Sequence, residues 1–451
     1  LTVFMGGLGL GSYLAGRCID RVETPATLIK LYGALELVVG LYAGLVPVGL
    51  SALKPLQSMI YSHLYGHFLA YHLLTFLLCA VILCVPAVCM GATLPILCRF
   101  YVDRMSKVGA HAGRLYGLNT IGAAAGSLLC GFWLIQWWGV PGTLVFAVAA
   151  NSAIGLACLL VGRRADTSAG ERASKKAPPR HSTPRDEAPP DPFEPTAALV
   201  VFAVSGFCAM ACEVIWTKLL ALIVGPTTYS LTIVLVTFIT GLALGSLVFG
   251  WFADRVRNCL ALLLATQAAA ALLVLGVSQV LGSSQLFFAK LIFTFKDHFG
   301  LLNAAKAGAL FVFMILPTLC FGAAFPLVSK IYTRSMARVG RSIGFAYMVN
   351  TIGALLGPFM AGFVLIPLLG KEGSLKVVAG TQLATSVVIA GLMFKRGARD
   401  PRQLGVMAAA AAAGLLLCVL YPSWSHRQLS IGKYHDFEDI RPVLARSGWL
   451  A

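Results

Sequence analysis

Two acidic residues stand inside long apolar runs of this chain, and they are the first place to look for chemistry. Glu36 lies in LYGALELVVGLYAG (31–44), and Glu213 lies in SGFCAMACEVIWTKLLALIVG (205–225). A carboxylate in apolar surroundings is costly unless it meets a cation, a proton or a polar partner. Such a group suits a cation site or a proton relay; the alternative is a structural polar contact between helices. Two carboxylates in one apolar cavity would suit an organic polycation. Lys218 lies five residues past Glu213, slightly more than one helical turn, so the two are poorly placed to pair. Trp216 follows Glu213 by three. Asn119-Thr120 and Asn350-Thr351 recur in one sequence frame, and their side chains can hydrogen-bond between helices. Tyr116 and Tyr347, one turn earlier, are expected to line the same central surface. Glu36, Glu213, Trp216, Asn119, Asn350, Tyr116 and Tyr347 form the candidate ligand-binding set.

Other groups point elsewhere. His63, His67 and His72 lie in YSHLYGHFLAYH. His63 and His67 are at i, i+4, one face of a continuous helix, but no Glu, Asp or Cys completes a ligand set. No metal site is expected. GLGLG (7–11) superficially suggests a dinucleotide loop, but no strand precedes it and it sits in an apolar run. The sequence shows no P-loop or HExxH, and no catalytic residue and no cofactor is assigned to this chain. The twelve cysteines fall almost entirely in apolar runs without a CxxC, and read as small buried hydrophobes.

The elements that position these groups follow from composition. Of 451 residues, 58% are apolar and 12% charged, about half the charged share of a soluble domain. A spanning helix needs about 20 mostly apolar residues. Runs of that kind occupy 1–16, 28–50, 72–98, 115–137, 143–162, 197–222, 228–252, 259–281, 308–330, 343–367, 374–394 and 404–421. The expectation is an all-α integral membrane protein with about 12 transmembrane helices. Segments 51–68 and 284–298 mix aromatic, basic and apolar residues and read as interfacial helices. The net charge of +17 sits in the gaps between spans and forms no aromatic-studded stripe, which argues against nucleic acid.

An internal repeat divides the chain. GGLGLGSYLAGRCIDR (6–21) matches TGLALGSLVFGWFADR (240–255), and VPAVCMGATLP (85–95) matches LPTLCFGAAFP (316–326). From Pro86 and Pro317 onward the offset stays at 231, so Pro95 pairs with Pro326, Asn119 with Asn350, and Gly126 with Gly357; before that stretch, Gln267 is the expected counterpart of Glu36. The prolines mark kinks. Glycine pairs four apart, at 7/11, 122/126, 241/245 and 353/357, predict close helix contacts in lipid. The expected organisation is a first membrane repeat over 1–162, a polar flexible linker over 163–195 and a second repeat over 196–403. An extra span at 404–421 and a tail over 422–451 follow. The second repeat has a leading helix that the first lacks, and the chain opens within an apolar segment without Met, so further sequence is expected before Leu1. The gaps 17–30, 99–114, 163–195, 254–258, 330–341 and 395–402 hold 24 of the 35 Lys and Arg. That side, with the linker, is expected to be cytoplasmic, and the tail to lie on the other side.

The two repeats share one orientation, and in this they resemble the halves of major facilitator transporters. Asp20-Arg21 and Asp254-Arg255 end matching Gly-rich helices. They resemble the major facilitator loop in which charge pairs lock helices at the cytoplasmic face; the plainer alternative is interfacial anchoring by Arg. The stretch 206–255, with MGATLPILCRF (90–100), GRLYGLNTIGAAAGSLLCGF (113–132) and NTIGALLGPFMAGF (350–363), resembles the membrane domain of bacterial spermidine-synthase-like proteins, fusions of a major facilitator and a spermidine synthase. The resemblance covers most of the chain. It implies a bacterial inner-membrane protein and a following aminopropyltransferase-like domain, of which 422–451 resembles the opening segment. The nucleotide loop and acidic catalytic loop of that domain are absent. Glu213 and Trp216 match the family's E-V-x-W string. Three functions stay open: transport or binding of a polyamine or other organic cation, a structural subunit associated with other membrane proteins, and a membrane anchor for an aminopropyltransferase-like domain. The lipid bilayer is the partner common to all three.

Overall fold

The computed structural model describes residues 2–173, 193–225, 227–295, 297–396, 401–420 and 424. Every regular element among them is helical. In lipid no water satisfies backbone N–H and C=O groups, so apolar runs of this length must bond internally as helices. The first half holds α1 (Thr2–Ile19), α2 (Pro25–Ala52), the short α3 (Lys54–Leu64) and α4 (Phe68–Tyr101). There α5 (Val108–Leu129) also runs through a π-helical turn at Cys130–Leu134 into α6 (Ile135–Ala173). Next come α7 (Phe193–Val224), α8 (Thr228–Ala253), α9 (Cys259–Gly282), the short α10 (Gln285–Thr294), α11 (Phe299–Gly322) and α12 (Ala324–Tyr332). Last, α13 (Val339–Met360) passes through a second π-helical turn at Ala361–Leu365 into α14 (Ile366–Lys395), and α15 (Pro401–Leu420) follows.

Among the described residues, eight stretches are long and apolar enough to cross a membrane. Two of them, 105–165 and 336–395, contain 61 and 60 residues. At 1.5 Å per residue each would be ~90 Å long, about three times the hydrocarbon thickness, so each must hold two crossings. The break is visible in the backbone. Gly139 (φ 65°, ψ −176°) interrupts α6 and Gly370 (φ 70°, ψ 179°) interrupts α14. Positive φ there requires glycine. Gly139→Ala and Gly370→Ala are each expected to cost about 1–2 kcal/mol from the left-handed strain alone. The fall should appear as a lower midpoint of thermal unfolding in detergent. Both the π turns and the breaks obey the 231-residue offset (130/361 and 139/370), so the repeat is present in backbone geometry as well as in residue type.

Several expectations need revision. Residues 163–173 continue α6, and 193–195 open α7, so the polar linker is shorter than 163–195; residues 174–192 lie outside the described residues. The tail 422–451 also lies outside them, apart from Trp424. The segment expected to span at 404–421 falls on α15, whose apolar stretch is Gly405–Leu420. In the second half, the span at 308–330 lies within one spanning stretch, Gly300–Tyr332, with a single turn residue, Ala323, between α11 and α12 just before Pro326, whereas α4 continues through the equivalent Pro95. The expected interfacial segments hold α3 and α10.

The chain divides into two compact units. The first comprises 1–105, 138–196 and 332–351; the second comprises 106–137, 197–331 and 352–451. Each is held by glycine contacts of the kind that lipid favours, where helices associate by close packing. In the first unit α1 lies against α4. A Cβ on Gly7 would strike Ala87, one on Gly11 would strike the Val88 carbonyl, and one on Gly91 would strike the Leu8 carbonyl. In the second unit α8 lies against α11 in the same way, through Gly241 on Thr318, Gly245 on the Leu319 carbonyl and Gly322 on the Leu242 carbonyl. The first unit also packs α2 against α6, where a Cβ on Gly33 or Gly155 would each sit 2.7 Å from the other's carbonyl oxygen. Gly353 and Gly357 seat α13 on Ala203 and Phe207 of α7. Their equivalents Gly122 and Gly126 meet nothing within 4 Å among the described residues. The expected close contact is therefore absent there, because no helix plays against α5 the part that α7 plays against α13.

Candidate functional site

Each unit carries an aspartate clasp at the basic end of a Gly-rich helix. In the first unit Asp20 follows α1. Its carboxylate accepts from the backbone N–H of Gly340 and of Arg341, both at 2.9 Å, at the start of α13. The Arg99 guanidinium is 3.9 Å away and also donates to the Met336 carbonyl at 2.9 Å. In the second unit Asp254 follows α8. It accepts from Gly109 N–H at 3.2 Å and Ala110 N–H at 2.7 Å at the start of α5, and Lys330 Nζ lies 2.9 Å from it. A helix N-terminus leaves N–H groups unsatisfied and carries partial positive charge, so an aspartate there is doubly favoured. Small residues make the approach feasible: a Cβ on Gly344 would sit 2.5 Å from the Ser12 carbonyl oxygen, and one on Gly113 would sit 2.5 Å from the Ser246 carbonyl oxygen.

The arginines that follow the aspartates do not share this role. Arg21 is exposed. Arg255 folds back on its own helix, with its guanidinium 3.7 Å from the Trp251 ring centroid and donating to the Trp251 carbonyl at 2.8 Å. The charge partners are instead Arg99 and Lys330, which sequence reading had not singled out. The signal was present in the repeat, since these residues lie at the basic ends of equivalent spans and their offset is 231.

The intramembrane carboxylates fall in different units. Glu36 sits on α2 in the first, one helical turn after Tyr32. Tyr32 also lines an apolar cavity of about 320 Å³ with Ile96, Leu97 and Cys158. At the equivalent position of the second unit, Gln267 is fully buried. Its amide donates to the Cys320 carbonyl at 3.2 Å and accepts from Gln382 Nε2. One repeat thus uses this position to tie α9, α11 and α14 together, while the other keeps an acid there. Glu213, on α7, has no hydrogen bond or ion pair among the described residues, and none joins it to Lys218.

The remaining candidates divide between structure and surface. Trp216 is fully buried, donates Nε1–H to Ser278 Oγ at 3.0 Å, and packs edge-on to Phe238 at 6.3 Å. It ties α7 to α8 and α9. Tyr116 stacks on Phe325 with centroids 4.5 Å apart. Thr120 and Thr351 spend their hydroxyls within their own helices, on the carbonyls of Tyr116 at 2.6 Å and Tyr347 at 2.7 Å, so interhelical bonding through the threonines is not realised. Asn119 is exposed and Asn350 partly so. His63 ends up on α3, bonded to the Met59 carbonyl at 2.8 Å, whereas His67 lies beyond the end of that helix at φ −113°, ψ 75°. The shared face expected from their spacing is therefore broken between them.

Comparison with known proteins bears on this arrangement. Among solved structures, the chain is similar to the human organic anion transporter MFSD10 (TETRAN), at 15% identity and a TM-score of 0.42, over 86% of this chain and 98% of that one. It is also similar to the proton:xylose symporter XylE bound to 6-bromo-6-deoxy-D-glucose, at 11% identity and a TM-score of 0.45, over 88% of this chain and 84% of that one. No curated protein sequence matches. The family model described as Major Facilitator Superfamily matches residues 1–358. That match covers the first repeat, the second as far as residue 358 and both aspartate clasps, and the chain belongs to the Major Facilitator Superfamily.

Proposed function

We propose that this chain is a membrane transporter for a small organic cation, with polyamines the chemical class its carboxylates suit best. The observation that carries the reading is Glu213, an acid within an apolar span that has no hydrogen bond or ion pair among the described residues. A carboxylate in that setting needs a counter-ion, and a cationic substrate or a proton supplies one. Glu36, with Tyr32 beside it, supports the same reading from the other unit. The resemblance to spermidine-synthase-like membrane domains suggests the polyamine class. The placement that goes with this function is the cytoplasmic membrane, basic side inward. Uptake of labelled spermidine into proteoliposomes tests it. Glu213→Gln keeps the shape and removes the charge, and is expected to reduce uptake at least tenfold, with Glu36→Gln giving a smaller loss. Unchanged uptake in Glu213→Gln would rule the cation site out.

A further inference from the structure

A second feature involves neither Glu36 nor Glu213. At the basic end of the first unit, a cavity of about 830 Å³ opens between the end of α1 and the start of α13. Four arginines line it, Arg17, Arg334, Arg338 and Arg341, and all are exposed. No carboxylate is among its lining residues. The nearest clasp acid, Asp20, is engaged with the backbone N–H groups of Gly340 and Arg341 and with Arg99. The floor is aromatic: Phe345 stacks with Tyr332 at 5.9 Å and meets Tyr13 at 6.4 Å. The Arg17 guanidinium lies 4.3 Å from the Tyr13 ring centroid, which restrains it toward the cavity. Hydroxyls of Thr196, Ser335 and Ser342 complete the rim.

The plain alternative is that these arginines are only interfacial anchors, which any basic loop would supply. The internal repeat argues otherwise. The 231-residue offset sends Arg334 to Asp103, Arg341 to Ala110 and Arg338 to Lys107, and the matching α1/α8 frame sends Arg17 to Trp251. Arg104 and Arg114 stand where Ser335 and Phe345 stand here, so basic residues occur in both halves. The four-arginine set around an aromatic floor occurs in one. The fold and the charge bias toward this side are common to both halves, and neither accounts for the difference.

We propose that this cavity binds a phosphate-bearing anion, with the phosphate held by Arg17, Arg334, Arg338 and Arg341. Guanidinium groups match phosphate oxygens with paired N–H donors, and four of them line this one cavity. The volume is within the range of small-molecule sites, roughly 300–1,000 Å³. The aromatic floor gives the organic part of the ligand an apolar face to rest on. A phospholipid headgroup at the membrane surface and a soluble phosphate monoester present the same chemistry.

The full chain purified in detergent distinguishes these sources. Native mass spectrometry with phosphatidylglycerol and phosphatidylcholine reads lipid binding, and thermal unfolding with and without glycerol 3-phosphate reads the soluble ligand. Selective phosphatidylglycerol adducts that fall at least tenfold in the triple variant Arg17→Gln, Arg334→Gln, Arg338→Gln identify a headgroup site. A glycerol 3-phosphate-dependent rise in melting temperature that is lost in the same variant identifies a soluble organophosphate. If the wild type binds neither probe, or binds both as well in the variant as before, the proposal is overturned. Should the triple variant fail to purify as a monodisperse protein, Arg338→Gln alone decides. It is expected to weaken binding severalfold, and unchanged binding there overturns the proposal.

Discussion

Gly245→Leu is expected to prevent the chain from reaching a folded, monodisperse state, and Gly11→Leu to do the same. At both positions the missing Cβ is replaced by backbone of the facing helix, the Leu319 carbonyl for Gly245 and the Val88 carbonyl for Gly11. A side chain that meets another side chain can push it into a new rotamer. One that meets a carbonyl must move a whole helix, and here the facing helices return the contact through Gly322 and Gly91. Overpacking typically costs 1–3 kcal/mol, and we place these two at or above ~3 because nothing flexible can yield. Gly276, in α9, has open space around it and is the matched control. Gly276→Leu should leave the protein intact apart from the new side chain. A thiol-reactive dye reports the outcome, since Cys98, Cys208 and Cys212 are free and buried. Immediate labelling at low temperature is expected for Gly245→Leu. A cooperative transition close to the wild-type midpoint would contradict the packing account.

The second large effect is expected at Asp254, and it should exceed that at Asp20. Both aspartates accept two backbone N–H bonds at a helix start, but their cations differ in reach: Lys330 is 2.9 Å from Asp254, and Arg99 is 3.9 Å from Asp20. Hydrogen bonds to a charged group contribute about 1.5–3 kcal/mol, and losing a close, partly buried ion pair adds to the loss. Asp254→Ala is accordingly expected to cost about 3 kcal/mol, within that range. Asp20→Ala should cost roughly half as much, because its ion pair to Arg99, at 3.9 Å, is the longer and weaker of the two. Asp254→Asn tests the charge separately, since the amide oxygen can still accept from Gly109 or Ala110 while Lys330 loses its counter-ion. The unfolding midpoints should rank wild type, Asp20→Ala, then Asp254→Ala. Equal loss at both aspartates would show that the cations contribute little and the helix caps nearly everything.

The spans were legible because lipid leaves a long apolar run no alternative to helix, so length and hydropathy decide the matter locally. The repeat was legible for a related reason: the close contacts demand glycine, and glycine at a fixed offset survives as text. What could not be read was the choice of partner. Asp20 is bonded to Gly340 and Arg341, and no local spacing rule connects residues 320 apart in sequence. Trp216 illustrates a different failure. Its position beside Glu213 suggested a ligand wall, but an indole is large, and α8 and α9 take it into the core, where Ser278 satisfies its one donor. Gly122 and Gly126 show the limit of pattern alone, since a small-residue pair states that a helix can come close and not that one does. The histidines failed for want of a boundary, because α3 ends at Leu64, between His63 and His67.

The π-helical turn at Ala361–Leu365 has a further consequence, which concerns helical phase. A π turn accommodates one residue more than α-helical winding does. With 3.6 residues per turn, an extra residue rotates everything after it by about 100°. A wheel drawn through 339–369 as one uninterrupted α-helix therefore assigns the residues from Ile366 to Leu369 to the wrong face, by more than a quarter of a revolution. The same phase shift decides the direction in which the chain leaves Gly370 and so where α14 begins its return. Removing one residue from that turn would restore α-helical winding while redirecting the whole of the following helix. In such a protein a single-residue deletion within an unbroken helix acts as a change of topology rather than of length.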